Sequence, residues 1–424
     1  MKIVSGTKSA LIIYGLFFLA WVLPESIYLK VGVVIRPIDI AAAILIAVSV
    51  FYHLSQGSAW FYRDRTVVII GMLILWGASS FLWAEHKSAV LPEVIQWLEV
   101  LLLFVSLSFF LKTEDHLKQF IVMMLSFAVV VQLVQGIHSL PSLFHLEPYI
   151  RERPDPFFSV VLIVYLGAFL IEGQAIFRRS VTIGLISLSI VNLFFSLTRK
   201  GIVGCAVSLV IMVVLSSRSA GRLFRRTVLM LGTVAMVLFV MQVNTPKLWD
   251  QLSMRFKAIT LQDEHPGSGI EGRLTHVAIS ANIFREHPWA GLGLGNHHIK
   301  FREFFIRVFE KKTAENIAGV HNGFLLVLSE LGLVGIGILM LLFLRPIRLI
   351  SLFRKRGHSA EYPGILLGSA ALFPFVIIKF GTAHAGIGRI FPLIFLLVLT
   401  NAYERFLVGS QETVISGPLG VTSE

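Results

Sequence analysis

The sequence predicts an all-α polytopic membrane protein with about twelve transmembrane helices and one long loop outside the membrane. Three observations support this class. Hydrophobic residues make up 55% of the 424 residues and charged residues only 15%, whereas soluble domains carry about 25% charged residues. Apolar runs of about 18 or more residues, each able to cross a hydrocarbon layer, recur along the whole chain. Basic residues collect between these runs, as in multi-pass proteins.

The limits of the predicted spans follow from the points where apolar runs meet charged or turn-forming residues. The first span follows Lys8 and lacks a small-residue cleavage site, so we interpret it as a retained helix. The predicted spans are residues 10–30, 38–54, 66–84, 89–111, 117–136, 157–176, 181–198, 201–216, 227–243, 323–343, 362–380 and 390–408. The predicted organisation is transmembrane helices 1–9 in residues 1–243, a loop domain in 244–322, transmembrane helices 10–12 in 323–408, and a tail in 409–424.

The basic residues also predict the orientation of the chain. About half of the 37 lysines and arginines fall in alternate short loops, with clusters at 222–226 and 354–356. This asymmetry predicts that both termini are cytoplasmic and that the loop at 244–322 lies on the outer side of the membrane. The net charge of +12 is partly this topological signal. No zinc spacing or aromatic-basic platform accompanies it, so nucleic acid is not an expected partner.

The long loop contains a helix and a glycine-rich turn. The segment "GRLTHVAISANIFRE", residues 272–286, has apolar residues at helical spacing, and "HPWAGLGLGNHH" interrupts it. Gly291, Gly293 and Gly295 are expected to permit a tight turn, with a phosphate-cradling role as the alternative. Residues 300–316 predict a basic amphipathic helix, which either lies on an anionic membrane surface or packs on the bundle.

Polar residues at membrane depth are costly, so each one raises a functional hypothesis. Four segments stand out, namely "SLTRKG" at 196–201, Gly272-Arg273, His321-Asn322, and "KFGTAHAGIGR" at 379–389. The predicted topology places all four on the outer side. The side chains expected to converge there are Arg199, Lys200, Arg273, His321, Lys379, His384 and Arg389.

A convergent cationic pocket of this kind suits an anion that arrives from the membrane, such as a lipid-linked diphosphate. Arginine donates paired hydrogen bonds to phosphate, and a histidine can act as a base near neutral pH. The outer loops contain no motif with metal-ligand spacing, so arginines would hold the diphosphate in place of a divalent cation, and no metal or other cofactor is expected.

Structural explanations remain open for the same residues. Arg199 and Lys200 could extend along an interface, and Arg273 could be an ordinary residue of a loop helix. His321-Asn322 could begin a helix without taking part in chemistry, because asparagine is a favoured N-cap residue. Glu330 follows His321 by nine residues, about 13 Å along a helix, so a structural role is expected for it.

The order of these elements resembles the O-antigen ligase family, within the wider ligase and polymerase group of bacterial surface-polysaccharide proteins. The resemblance rests on "SLTRKG", "GRLTHVAISANIFREHPWAGLGLGN" and "HNGFLLVLSELGLVG", which lie between residues 196 and 335 and are separated by spans as in that family. These motifs are specific for the group and much less so for ligase against polymerase.

The resemblance implies a membrane glycosyltransferase of GT-C-like architecture that needs no metal and inverts the anomeric carbon. It would transfer a glycan from undecaprenyl diphosphate to a terminal sugar of the lipid A core at the periplasmic face of the bacterial inner (cytoplasmic) membrane. By the same resemblance, His321 is the expected base, and Arg199 and Arg273 are the expected diphosphate ligands. Lys200, Asn322, His384 and Arg389 are expected substrate-binding residues. Expected partners are the lipid-linked glycan, the lipid A core and membrane lipids.

Three alternatives share parts of this pattern. A polysaccharide polymerase would use the same donor with a second lipid-linked glycan as acceptor. A protein O-oligosaccharyltransferase of the group usually carries additional C-terminal sequence. A lipid-linked glycan transporter would place charged residues near the middle of the bilayer on broken helices, whereas here they collect at one side.

Overall fold

A computed structural model describes residues 64–111, 113–145, 156–174, 176–196, 198–217, 269–301, 322–356, 360–381 and 387–415, the strands at 29–31 and 33–35, and scattered residues elsewhere. The backbone alone is described for the two strands and at several helix ends, including 135–145, 269–276, 387–391 and 407–415. The predicted spans at 10–30, 38–54 and 227–243, and the predicted amphipathic helix, lie largely outside the described residues.

Helices dominate the described chain, as the sequence predicts. They are α1 (Arg65–Ser79), α2 (Lys87–Phe110), α3 (Glu114–His145), α4 (Pro156–Ile171), α5 (Arg179–Phe195), α6 (Arg199–Ser216), α7 (Gly269–Glu286), α8 (Gly323–Arg356), α9 (Pro363–Gly381) and α10 (Ile387–Ile415). One short antiparallel hairpin, β1 (Leu29–Val31) with β2 (Val33–Ile35), departs from the all-α prediction. Its register pairs Leu29 with Ile35.

Six stretches within the described helices are long and apolar enough to cross a membrane, which supports a multi-pass membrane protein. They are Arg65–Leu82, Lys87–Phe109, Glu114–Val134, Arg199–Ser216, Gly323–Lys355 and Pro363–Gly381, and the apolar helices α4 and α5 are shorter. The first of these continues α1 through the 3-10 turn Ser80–Leu82.

Two helices, α4 and α9, form the centre of the bundle, because most residues of each are buried. They run antiparallel, since Gly364 at the start of α9 meets Phe169 near the end of α4, and Phe375 stacks with Phe157 at its start. The buried hydroxyls of Tyr165 and Ser369 lie 2.8 Å apart and link the two helices. This pairing satisfies two polar groups that would otherwise be costly to bury.

Helix α6 runs parallel to α4 and antiparallel to α9. Its first turn meets Pro156, and Met212 near its end meets Gly167. Gly204 faces the ring of Phe375, and a Cβ atom there would overlap that ring. Small residues at helix crossings let backbones approach closely, which is the usual way in which helices associate in membranes.

Helix α8 is folded back on itself at Gly332. The rings of Phe324 and Phe343 lie 5.2 Å apart, although nineteen positions would separate them by about 28 Å in a straight helix. Gly332 has φ 64° and ψ −161°, which is not helical. Residues 323–331 and 333–356 therefore form a helical hairpin, and the predicted span 323–343 differs from a straight helix in this way. We call it the α8 hairpin.

The α8 hairpin extends past the end of α9. Phe343 packs on Phe380 in the last turn of α9, with ring centroids 5.2 Å apart, and Phe324 packs on the same ring at 4.8 Å. The stretch from Phe343 back to Gly332 is about 16 Å long, so the tip of the hairpin lies beyond that last turn. The first residue of the hairpin, in contrast, returns to the level of Phe380.

A partly buried ion-pair cluster joins α8 to α10 and reaches the start of α1. Arg345 donates two hydrogen bonds to Glu404, at 3.2 and 2.6 Å, and a third at 3.3 Å to the hydroxyl of Thr66. Arg348 contacts the other side of the same carboxylate at 2.7 Å. The paired geometry is the one in which arginine binds carboxylates most strongly, so this cluster fixes α1, α8 and α10 together.

Candidate functional site

The segment "SLTRKG" forms the tight turn between α5 and α6 and places Arg199 and Lys200 in the first turn of α6. The buried hydroxyl of Ser196 donates to the carbonyl oxygen of Leu193 at 2.6 Å and lies 2.7 Å from the Thr198 hydroxyl. Gly201 closes the turn, because a Cβ there would lie 2.5 Å from that of Pro156. Arg199 and Lys200 are half-buried beside the start of α4.

Lys379 lies at the same level as Arg199 on the neighbouring helix. It follows Phe375 by four residues, while Arg199 precedes Gly204, the residue in contact with Phe375, by five. Because α6 and α9 are antiparallel, these offsets bring the two cations to about one height. Lys379 is only 7% exposed, and its Nζ lies 4.7 Å from the ring centroid of Phe157, a cation–π contact.

Asn322 begins the α8 hairpin beside this group. Its Oδ1 accepts hydrogen bonds from the backbone amides of Phe324 at 3.0 Å and Leu325 at 3.1 Å, so the side chain caps the helix. The next residue, Gly323, packs directly against Phe380, the neighbour of Lys379. The described structure therefore brings Arg199, Lys200, Lys379 and Asn322 to one end of four adjoining helices.

The remaining predicted residues fall wholly or partly outside the described residues. His321 and His384 are outside them. Arg273 and Arg389 lie on the described backbones of α7 and α10, and their side chains are not described. The catalytic and binding assignments of all the site residues stay predictions.

Helix α7, which carries Arg273, packs on the start of the α8 hairpin. Ile279 and Ile283 of α7 form a small apolar cluster with Leu292 and Phe301, and Leu325 packs against it. Both α7 and residues 323–331 lead toward the tip of the hairpin. Arg273 precedes Ile279 by six residues, about 9 Å, so its backbone lies toward the end where Asn322 lies.

The glycine-rich segment, residues 288–297, occupies the break in α8, and we call it the wedge turn. The amides of Leu292 and Gly293 donate to the carbonyl oxygens of Ser329 and Glu330, both at 2.9 Å. In return, the amide of Leu333 donates to Pro288 at 2.9 Å. The wedge turn thus forms hydrogen bonds with backbone carbonyl and amide groups that lose their helical partners at the break.

The three turn glycines all have positive φ, at 69°, 98° and 77°. A Cβ on Gly291 would overlap the backbone of Glu330, and one on Gly295 would lie 2.5 Å from the carbonyl oxygen of Ala89. These glycines are therefore needed both for the turn conformation and for close approach to α8 and α2. The predicted tight turn is present, and Gly291 and Gly295 pack against the backbone of α8 and α2.

Sequence reasoning missed the break itself. Gly332 lies inside a long apolar run, where a glycine is tolerated in a membrane helix, so nothing local marks a reversal. Two signals were available in the sequence. The apolar run with its basic end, residues 323–356, is longer than one membrane crossing requires. The glycines of the wedge turn indicate that another segment packs closely against the turn.

Near the wedge turn, the ammonium group of Lys300 pairs with two carboxylates, Glu85 and Glu303. Lys300 Nζ lies 2.7 Å from Glu85 in the connector between α1 and α2. The hydrogen bond from Lys300 lowers the pKa of Glu85, and the bond to Glu85 raises the pKa of Lys300. Within the described ranges, no group of three or more histidine, cysteine, aspartate or glutamate residues could hold a metal ion.

The central part of the chain matches a known family. The model of a family described as O-antigen ligase matches residues 184–340, from α5 through the wedge turn to the α8 hairpin. Among curated proteins, no match to the sequence was found. The resemblance predicted from the motifs is confirmed over this segment.

Proposed function

We propose that this chain, whose central segment matches the O-antigen ligase family, transfers a glycan from undecaprenyl diphosphate to a terminal sugar of the lipid A core. The family match supports a ligase or polymerase type of activity on lipid-linked glycans. The observation that carries the proposal further is the group of cations at one end of α6 and α9. Arg199, Lys200 and Lys379 lie there beside the capped start of the α8 hairpin.

The arrangement fits a lipid-linked diphosphate for a physical reason. The cations lie at the ends of helices long and apolar enough to span a membrane, where a polyprenyl tail could remain in the lipid. Arginine donates paired hydrogen bonds to phosphate oxygens, and a cation in a partly buried position acts more strongly than in water. Arg199 and Arg273 are the proposed diphosphate ligands, and Lys200 and Lys379 add positive charge.

The proposed reaction is a single displacement without a metal. The hydroxyl of the acceptor sugar attacks the anomeric carbon of the donor, and the bond from that carbon to the diphosphate oxygen breaks. His321 takes the proton of the attacking hydroxyl, and the cations stabilise the negative charge that develops on the leaving diphosphate. One attack at one carbon inverts its configuration. Asn322, the residue after His321, caps the helix and so fixes where the helix begins.

Reconstitution tests the proposal. Purified protein in liposomes is given lipid-linked glycan, with or without lipid A core, and the products are separated by size. Transfer to the core supports a ligase. Elongation of the lipid-linked glycan without core identifies a polymerase instead, and no product with either acceptor refutes both. Transfer that vanishes with EDTA and returns with Mg²⁺ would contradict the metal-independent mechanism.

A second experiment tests the proposed orientation, in which both termini are cytoplasmic and the site faces the periplasm. A reporter fused at Gly267 should read as periplasmic and one at Gly357 as cytoplasmic. Exchanged signals would place the cations on the side opposite to the lipid-linked donor and the lipid A core, and the proposed function would then fail.

A further inference from the structure

The wedge turn and the α8 hairpin exchange backbone hydrogen bonds in both directions. Besides the bonds of Leu292, Gly293 and Leu333, the amide of Val334 donates to the carbonyl oxygen of Trp289 at 3.4 Å. From α1, the indole Nε1 of Trp76 donates to the carbonyl oxygen of Leu331 at 3.0 Å. Unpaired amides and carbonyls are costly in a membrane protein. The wedge turn therefore stabilises the reversal of α8 and is itself fixed by it.

A buried carboxyl group lies at the same place. Glu330 is only 4% exposed, and its Oε1 accepts a hydrogen bond from the backbone amide of His297 at 3.2 Å. Its burial is unfavourable in itself, because a polar group removed from water is costly unless its oxygens are hydrogen-bonded. An apolar side chain would avoid this cost, so an acidic residue here suggests that its acceptor oxygens are needed by the turn.

The wedge turn also reaches the connector between α1 and α2. The side-chain Oδ1 of Asn296 accepts from the amide of His86 at 2.8 Å, and its Nδ2 donates to the carbonyl of the same residue at 3.3 Å. The amide of Leu294 donates to the hydroxyl of Ser80 at 3.0 Å. The turn thus bonds to two separate parts of the bundle, and its position is fixed relative to both.

From these contacts we propose that Glu330 is a positioning residue. Glu330 holds the wedge turn in the break of α8. The wedge turn then fixes the position of α7, which ends at Glu286, just before the turn begins. Since α7 carries Arg273, Glu330 sets where that arginine helix lies against the start of the α8 hairpin. The effect on transfer rests on the proposed function, whereas the effect on the position of α7 does not.

The test separates position from activity. Spin labels are placed at Asn282→Cys on α7 and Leu344→Cys on α8, two exposed positions, while the native Cys205 is buried. Distances between the labels are measured in the full-length protein in liposomes, without substrate. Donor affinity, with undecaprenyl diphosphate as the probe, and single-turnover transfer are measured on the same variants without labels.

Glu330→Leu should broaden the distance distribution and lower the transfer rate at least tenfold, because the buried amide of His297 loses its hydrogen-bond acceptor. Donor affinity should fall less than the rate, since Arg199 and Lys379 lie on other helices. Glu330→Gln keeps an acceptor oxygen, so its distance distribution should stay narrow and its rate should fall about threefold or less. Glu303→Gln, which removes an exposed carboxylate near the same turn, is the matched control and should behave as wild type.

Two results would overturn the proposal. One is a narrow, wild-type distance distribution in Glu330→Leu, and the other is equal broadening in Glu330→Gln and Glu330→Leu. If Glu330→Leu does not fold, Glu330→Asp replaces it, because the shorter side chain withdraws the acceptor oxygen from the amide of His297 and should give the same broadening. If the wild-type protein transfers no glycan but the distances respond as expected, the proposed function fails and the positioning role stands.

Discussion

Replacing Gly332 by alanine tests whether the reversal of α8 is as constrained as the structure indicates. At φ 64° a residue with a Cβ atom is disfavoured, and that atom would overlap the backbone of Trp289 in the wedge turn. The overlap involves a main-chain carbonyl, so no side-chain movement can relieve it. The turn would have to move away from α8 and lose bonds that cross the break.

The expected cost follows from two contributions. The backbone conformation of Gly332, with φ 64° and ψ −161°, is one that in practice only glycine adopts, and it costs a residue with a side chain roughly 1–3 kcal/mol. Weakening two of the crossing hydrogen bonds adds about 1 kcal/mol for each. The total is about 3–5 kcal/mol. In a chain of this length it should lower the apparent unfolding temperature by roughly 3–6 °C.

Gly337→Ala is the matched control in the same helix. A Cβ at Gly337 meets nothing within 4 Å, and its backbone is helical. Alanine should therefore leave stability unchanged or raise it by up to about 1 kcal/mol. Thermal unfolding of both variants, purified in the same detergent and heated at one rate, provides the comparison. Equal unfolding temperatures for Gly332→Ala and Gly337→Ala would refute the argument that the tip of the hairpin is sterically closed.

Three further predictions concern charge and chemistry. Arg199→Lys and Arg273→Lys keep the charge but lose the paired hydrogen bonds, so each should slow single-turnover transfer about ten- to hundredfold; rates within twofold of wild type would exclude bidentate binding. His321→Ala should bind undecaprenyl diphosphate normally, slow transfer about 10²–10⁴-fold and recover in part at raised pH; loss of donor binding in a folded protein would make His321 a binding residue. The Glu85–Lys300 pair should stabilise the protein only slightly. Its contribution should be present near pH 7, disappear as pH falls through the lowered pKa of Glu85, and disappear as pH rises through the raised pKa of Lys300. Unfolding temperatures of wild type and Glu85→Gln at pH 7 and pH 3 check this, and a difference that persists at pH 3 would have another origin.

Much of the helical framework could be predicted because each helix is decided by its own residues. An apolar run that ends at a charge or a proline, such as the one from Pro363 to Gly381, predicts a membrane helix on composition alone. The cap at Asn322 was predictable for the same reason, since the residue types around a helix start are local information. The clustering of Arg199 and Lys379 could also be predicted. Successive spans cross the membrane in opposite directions, so the start of α6 and the end of α9 lie on the same side.

The reversal at Gly332 was not predictable in this way, because it depends on a partner far away in sequence. The broken helix is stable only where the wedge turn supplies donors and acceptors, and no pattern within residues 323–356 indicates that these exist. For the same reason, the sequence did not predict that the side chain of Glu330 accepts a hydrogen bond from the amide of His297, more than thirty positions earlier. The sequence indicates that a buried acid is unusual, and the contact that explains it requires the fold.

The wedge turn precedes α8 in the chain, and this order has a consequence for biosynthesis. During translation the turn is made before the hairpin emerges, so its donors and acceptors exist by the time the amides around Gly332 enter the membrane. A chain in which α8 came first would have to leave the broken backbone unpaired in lipid until the turn followed. A circular permutant with residues 322–356 ahead of the turn should therefore insert these residues as one straight helix and accumulate as misfolded protein, even though every native contact remains available to it.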